Sequence, residues 1–570
     1  MLIRVDANRA LDREALRRER FRPVAGRYLV RIDGRCIGRS PESQEARPDD
    51  VCSVVARNYP DGMEKVYASI DGAFRIVLCD TEKDEIAVLT DPHGLERVFY
   101  VWDPEAGLTL SDNLPEVLQR HPEKSLDPKA LAEYLRFLDI SAPYTIYKGI
   151  FCLEPQSLLV YSARTGRLTV KALPLTTSNG LEPPATLDDA VEEFEARLFR
   201  SIEKRATGSG KLGLLLSGGI DSSLLASGLS RLRSKAAMPE CVAYTVGFDE
   251  PGFDESKVAE GIAGHLGLAH RILRFSLEEE IAGFREFIDR LEIPFADPAA
   301  IPTVLALERM RDDSVDTVME GTGADGLIGY MLSRYHAIVL RYTSRIPYPL
   351  RRWTANVLEA VRDPLDLRPF FDFSDPEEKF IRWKGWTKEE LRRLLGIEVS
   401  LDHTAFYRAY ARYKDRGIYE LYRRLLIAMP DYRITEMPRH FGLTPAFPFL
   451  DRNVRDYVEG LPLRFKYHQG TGKVLYRKTL GRYVPEALWN VPKHGFDYPF
   501  ERLMRHDDHT LVRAFLNEET LGLHGLFDRG IVRSYVDRYI QGDASLKFKI
   551  WALVVFQSWY LKQRFGETRV

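Results

Sequence analysis

The sequence predicts two regions of different class: a strand-rich α+β region over 1–178 and an α/β region with many helices over 187–570. Three observations carry that reading. Short β-rich runs broken by turn residues fill 64–79 (EKVYASIDGAFRIVLC) and 85–101 (EIAVLTDPHGLERVFYV), and 145–160 and 167–173 continue the texture. The stretch 176–186 (TTSNGLEPPAT) is polar, holds a glycine and two prolines, and is crossed by no apolar period. Beyond it, helical stretches alternate with short apolar strands.

The alternation reads as a helix at about 187–207, strand 212–216, helix 222–233, strand 241–247, helix 256–267 and strand 270–274, with helices dominating from about 300 to 560. A chain of 570 residues is too long for one core. No internal repeat or low-complexity tract interrupts it.

The strand 212–216 ends in SGGIDSS (217–223). Leu212 to Leu216 is too short for a helix and fits a fully buried parallel strand. Gly218 and Gly219 remove side chains, so the backbone N–H groups of the turn and of the following helix can converge on an anion. The stretch is therefore a phosphate cradle. It is not GxxxxGK[ST], and the nearest lookalike, GTGK at 470–473, lacks the first glycine. Asp221 stands where that pattern has lysine, and an acid cannot pair with phosphate directly. It is expected to hold Mg²⁺ that bridges phosphate oxygens, with pyrophosphate as the group bound.

Composition excludes several classes. Charged residues make up 29% of the chain and the signs nearly cancel to −2, which argues against nucleic acid as the main partner. The basic stretch 13–22 (REALRRERFR) reads as a solvated helix face. Cys36, Cys52, Cys79, Cys152 and Cys241 are odd in number and form no CxxC, so neither a disulfide framework nor a zinc site is indicated and a reducing cytoplasm is the expected home. MLIRVDANRALDRE lacks the apolar core of a signal peptide. IWALVVFQSWYL (550–561) is only twelve residues and contains Gln557 and Ser558, which fits a buried helix and no membrane span. RHDDH (505–509) reads as a charged helix start more readily than as a metal site, and Asp254 as a helix N-cap.

SGGIDSS between a strand and a helix resembles the PP-loop of ATP pyrophosphatases, which split ATP into AMP and pyrophosphate while adenylating a substrate. Further segments fall in the order of the asparagine synthetase family. IDGAFRIVLCD (70–80), TDPHGLERVFYV (90–101) and TIYKGIFCLEPQSLLVY (145–161) resemble its glutaminase domain. YTVGFDEPGFDES (244–256), PFADPAAIPT (294–303), EGTGADGLIGY (320–330), PAFPFLDRNV (445–454), GTGKVLYRKTL (470–480), VPKHGFDYPF (491–500) and KIWALVVFQSWYL (549–561) resemble its synthetase domain. The resemblance implies an Ntn-hydrolase-like αββα sandwich followed by an α/β PP-loop domain. It also implies glutamine hydrolysis in the first domain, and adenylation and amidation of a carboxylate in the second.

It further implies roles. Ser217, Gly218, Gly219, Ser222, Ser223 and Gly323 bind the phosphates, Asp221 and Asp325 hold Mg²⁺, and Leu215 and Val246 flank the adenine. Lys493 neutralises charge on the pentavalent phosphorus and then on the tetrahedral intermediate.

Two departures modify the expected reaction. The family's glutaminase uses a cysteine at position 2, where this chain has Leu2, and none of the first four cysteines can carry the free α-amine that serves as base. The glutamate that takes the proton from attacking ammonia is replaced by Thr322, whose hydroxyl is too weak a base, as it is also replaced in relatives that close β-lactams or tie lasso peptides. The nucleophile then arrives already neutral, or a base comes from elsewhere, for which Glu320 is one candidate beside its reading as a supporting or surface residue.

The expectation is an ATP- and Mg²⁺-dependent ligase joining a small-molecule or peptide carboxylate to an amine from a source other than glutamine, with the first domain as scaffold or docking surface for a partner protein. Ammonia-dependent asparagine synthesis and a non-catalytic scaffold are the alternatives.

Overall fold

The computed structural model describes residues 1–6, 11–38, 48–59, 62–121, 124–173, 183–233, 238–250, 253–329, 339, 342–360, 367, 370–371, 385–427, 432–491 and 498–566. These form two units, Met1–Ala130 with Ser141–Gly180, and Leu131–Ile140 with Leu181–Val570.

The first unit is built on ten strands: β1 Leu2–Val5, β2 Arg22–Val24, β3 Tyr28–Gly38, β4 Ile70–Asp80, β5 Glu85–Thr90, β6 Phe99–Asp103, β7 Gly107–Ser111, β8 Phe151–Cys152, β9 Ser157–Ser162 and β10 Arg167–Ala172. They make a four-stranded sheet in the order β1-β7-β6-β8 and a six-stranded sheet in the order β10-β9-β5-β4-β3-β2, antiparallel throughout. The period of two along β4 and β5 explains how both faces of the larger sheet are used. Phe74, Ile76, Leu78, Ala87 and Leu89 pack with Val51 and Val55 of the helix Pro48–Asn58 and Val66 of the helix Met63–Ser69. Val77, Cys79, Ile86 and Val88, on the other face, pack with Ile3, Tyr100, Leu108 and Leu110 of the smaller sheet. Strands covered on both sides read as near-continuous apolar runs, which is the texture of IVLC and IAVL.

In the second unit the helix Leu187–Ala206 starts where the polar boundary stretch ends. Thr186 Oγ1 accepts the Asp189 N–H at 3.1 Å and Asp189 Oδ2 accepts the Thr186 N–H at 3.2 Å, a reciprocal cap. Five strands follow: β11 Lys211–Leu215, β12 Glu240–Val246, β13 Ala269–Leu273, β14 Thr317–Met319 and β15 Thr444–Ala446. All pairs are parallel, in the order β13-β12-β11-β14-β15. The connections therefore leave β11 in one direction and return to β14 on its other side, so a crevice opens past the carboxyl ends of β11 and β14.

The helix Lys547–Phe565 is buried along most of its length, with Trp551 and Trp559 fully enclosed. Its polar residues are satisfied inside: Gln557 Nε2 donates to Thr520 O at 2.8 Å and Ser558 Oγ to Val554 O at 2.7 Å. No helix of the described residues is long and apolar enough to cross a membrane. The segment Leu131–Ile140 is anchored in this unit, where the Tyr134 hydroxyl donates to Ala552 O at 2.7 Å.

One expectation is corrected. RHDDH forms the kink between two helices, directly before the second one starts, instead of being the first turn of a helix: within Glu501–Phe515, Asp507, Asp508 and His509 hold φ of 45°, 51° and 61°. The Thr510 hydroxyl donates to the Asp507 carboxylate at 3.1 Å beside that left-handed turn. All five cysteines are free thiols.

Candidate active site

The turn after β11 is held by its own hydroxyls. Ser217 N–H donates to Ser222 Oγ at 3.2 Å, Gly219 N–H to Ser217 Oγ at 3.4 Å, and the Ser222 hydroxyl to Gly219 O at 3.2 Å. Gly218 has φ of 72°, which glycine adopts without strain. The helix Ile220–Leu232 begins at Gly219, which caps it with no side chain, so first-turn N–H groups are left for an anion. Ser223 Oγ is buried there with no partner among the described residues. Leu215 and Val246 end β11 and β12.

The turn after β14 meets the first one. Glu320 N–H donates to Ala446 O at 3.1 Å, which ties the turn to β15. The Glu320 carboxylate accepts the Thr322 N–H at 2.7 Å and the Thr322 hydroxyl as well. Gly321 lies so close to Asp221 that a β-carbon there would be 3.2 Å from Asp221 Cβ. Gly323 caps the short helix Ala324–Ile328, which carries Asp325.

A third segment closes the crevice. The hairpin of β16 Tyr467–His468 and β17 Thr471–Gly472 delivers Lys473 in the left-handed region, with φ of 56°, at the start of the helix Val474–Leu480. Its Nζ is 2.5 Å from Asp221 Oδ2 and 2.7 Å from Asp325 Oδ1. Burial opposes the ammonium, but the two carboxylates outweigh it and the Lys473 pKa is raised. The Tyr476 hydroxyl, one turn on, donates to Ala324 O at 3.4 Å while its ring stacks on Phe194 at 5.0 Å. The Tyr419 hydroxyl donates to Ile328 O. Two tyrosines thus grip both ends of the helix that carries Asp325.

Behind the β12 end, Arg502 Nε donates to Glu280 Oε2 at 2.9 Å and its terminal nitrogen to Glu250 Oε1 at 3.1 Å. Asp254 is not the N-cap expected of it: Glu255 holds that position before the helix Ser256–Leu266, while Asp254 Oδ1 accepts the Ser256 N–H at 3.1 Å and Arg274 pairs with its other oxygen at 3.1 Å.

The asparagine synthase family matches residues 193–561, a span that includes every element of this crevice. The chain belongs to that family. A glutamine amidotransferase domain matches residues 42–170. The chain is 23% identical over 527 residues to asparagine synthetase (glutamine-hydrolyzing) 1 of Bacillus subtilis (strain 168), covering 90% of this chain and 81% of that one. It is 25% identical over 289 residues to asparagine synthetase (glutamine-hydrolyzing) 2 of Oryza sativa subsp. japonica, covering 49% of this chain and 43% of that one. As a member of the asparagine synthase family it is an ATP-dependent ligase.

Of the residues singled out in the sequence, the fold brings Ser217, Gly218, Gly219, Asp221, Ser222, Ser223, Glu320, Thr322, Gly323 and Asp325 to one crevice at adjacent strand ends. Lys493 lies outside the described residues. Lys473 joins the site without having been singled out, although GTGKVLYRKTL carries it; a lysine opening a helix directly after a glycine-rich hairpin is the available signal.

Proposed function

We propose that the chain adenylates a substrate carboxylate with ATP and Mg²⁺ and transfers the acyl group to an amine supplied by some route other than glutamine hydrolysis. The convergence of Asp221 and Asp325 on one cationic point supports the reading. Two carboxylates from separate turns fit a hard divalent cation. Among the described residues no group of three or more His, Cys, Asp and Glu could hold a metal ion, so the remaining ligands would be phosphate oxygens and water, as Mg²⁺ prefers. When bound, Mg²⁺ neutralises charge on the departing pyrophosphate.

In this reading the cradle residues Ser217 to Ser223 and Lys473 hold the pyrophosphate end, and Leu215 and Val246 flank the adenine. A carboxylate oxygen bonds to the α-phosphorus as the bond to the bridging oxygen breaks, and pyrophosphate leaves. The amine nitrogen then bonds to the acyl carbon, AMP leaves, and the amine gives up a proton to Glu320, whose hold on the Thr322 hydroxyl orients it. Lys493 is assigned the charge on the phosphorus and on the tetrahedral intermediate.

Leu2, in β1, has no nucleophilic group, and Cys36, Cys52, Cys79 and Cys152 are buried. Burial pushes the Cys79 thiol up, away from the reactive thiolate. The first unit, an Ntn-hydrolase-like sandwich in this reading, then serves as scaffold or docking surface for a partner protein. The setting is cytoplasmic biosynthesis of a specialised metabolite or modified peptide.

The test is ATP turnover with Mg²⁺ over a panel of carboxylates and amines that includes aspartate with ammonium. AMP with pyrophosphate, lost in Asp221→Asn, supports adenylation; ADP with phosphate, or no turnover with any pair or with cell extract, rejects it.

A further inference from the structure

We infer that Lys473 is an internal counter-ion that occupies the divalent-cation position until phosphate arrives, so that metal and nucleotide load together and metal alone is refused. The inference rests on the proposed reading of Asp221 and Asp325 as the metal pair.

Among the described residues, Lys473 is a cation shared by two acids. Lys473 Nζ stands 2.5 Å from an oxygen of Asp221 and 2.7 Å from an oxygen of Asp325. A magnesium ion bridging the same pair would need those oxygens at about 2.0–2.1 Å. The ammonium and a divalent ion cannot both stand between them, because two cations at such range repel each other. A metal ion arriving alone must therefore displace the lysine from both carboxylates.

Arrival with phosphate changes the balance. Asp221 lies in the first turn of the helix Ile220–Leu232, whose N-terminal N–H groups await an anion, so a pyrophosphate bound there brings oxygens beside the lysine. The ammonium can then exchange carboxylate for phosphate while the carboxylates turn to the metal. Its backbone need not move: Lys473 is pinned between the hairpin and a helix, and the exchange is a side-chain rotation. Solvent reaches the pair from one side, since the Asp325 side chain is 68% exposed and that of Asp221 only 16%.

The experiment measures Mn²⁺ binding to the full chain, by calorimetry or by the electron paramagnetic signal of free Mn²⁺, with and without pyrophosphate. Without pyrophosphate, Lys473→Met is expected to bind Mn²⁺ about tenfold tighter or more than wild type. Pyrophosphate is expected to raise the wild-type affinity to at least that of the variant. Wild type binding Mn²⁺ alone as tightly as Lys473→Met overturns the inference while leaving the metal pair intact. Absence of Mn²⁺ binding in both proteins even with pyrophosphate sinks the metal pair, and the inference with it. Should Lys473→Met fail to fold by circular dichroism, Lys473→Arg keeps the positive charge and is expected to keep refusing Mn²⁺ alone; tight binding by that variant overturns the inference.

Discussion

Gly323 packs beneath Leu450 so closely that a β-carbon on it would lie 2.2 Å from Leu450 Cδ2, and it holds φ of 93°. Glycine alone meets both conditions at the start of the helix that carries Asp325. Gly323→Ala is expected to cost about 1–3 kcal/mol in backbone strain before any clash. A thermal melt should fall accordingly, and turnover should drop even at temperatures where the variant is folded. A variant with the wild-type melt and turnover would show that the loop accommodates the methyl group.

Glu320 accepts both the N–H and the hydroxyl of Thr322, outside the phosphate cradle. Glu320→Gln is expected to lower kcat by about 10²–10⁴ with KM for ATP little changed. Thr322→Val, which keeps the carboxylate, should lose less. Steady-state kinetics decide, and an unchanged kcat in Glu320→Gln places the base elsewhere.

Arg502 faces Glu280, whose side chain is 1% exposed. Arg502→Met leaves a buried carboxylate without its cation, at a cost of about 3–5 kcal/mol. Urea unfolding should show that loss, and adding Glu280→Gln should recover part of it. Equal stability of wild type and Arg502→Met would mean that water reaches Glu280.

Lys466 donates to Glu459 O at 2.9 Å. Burial, and after it the Arg423 guanidinium, push its pKa from 10.5 to about 8. Between those values the folded chain binds fewer protons here than the unfolded chain, so this group makes stability rise with pH. Below about 8 both states are protonated and the penalty is at its full size, on the order of 3 kcal/mol. Lys466→Met removes it and loses one hydrogen bond worth about 1 kcal/mol. The variant should be about 2 kcal/mol more stable than wild type at neutral pH. The gain should vanish by pH 10.5. Urea unfolding at the two pH values checks this, and a less stable variant at neutral pH contradicts it.

The strands around the cradle are legible because each is a short apolar run with a turn signal after it. The runs 212–216, 241–247 and 270–274 appear as Lys211–Leu215, Glu240–Val246 and Ala269–Leu273. β14 and β15 are not legible. Each is three residues long, TVM and TPA, and β15 holds a proline that an edge strand tolerates; neighbouring backbone fixes them, and no local period announces it. Lys473 escapes a sequence reading for a related reason. Its partner Asp221 is 252 positions away, and nothing in GTGK says which acids it will meet. At RHDDH only charge is legible, and charge does not reveal a left-handed backbone.

That separation has a consequence for synthesis. A chain emerging from a ribosome displays Asp221 and Asp325 long before Lys473 exists, so the two turns are made before the cation that both of them bind. The carboxyl edge of the sheet is thus unfavourable to close until the hairpin at 467–472 has been made and has folded over it. Pyrophosphate binding by truncated chains of increasing length would then appear only in chains that extend past the hairpin.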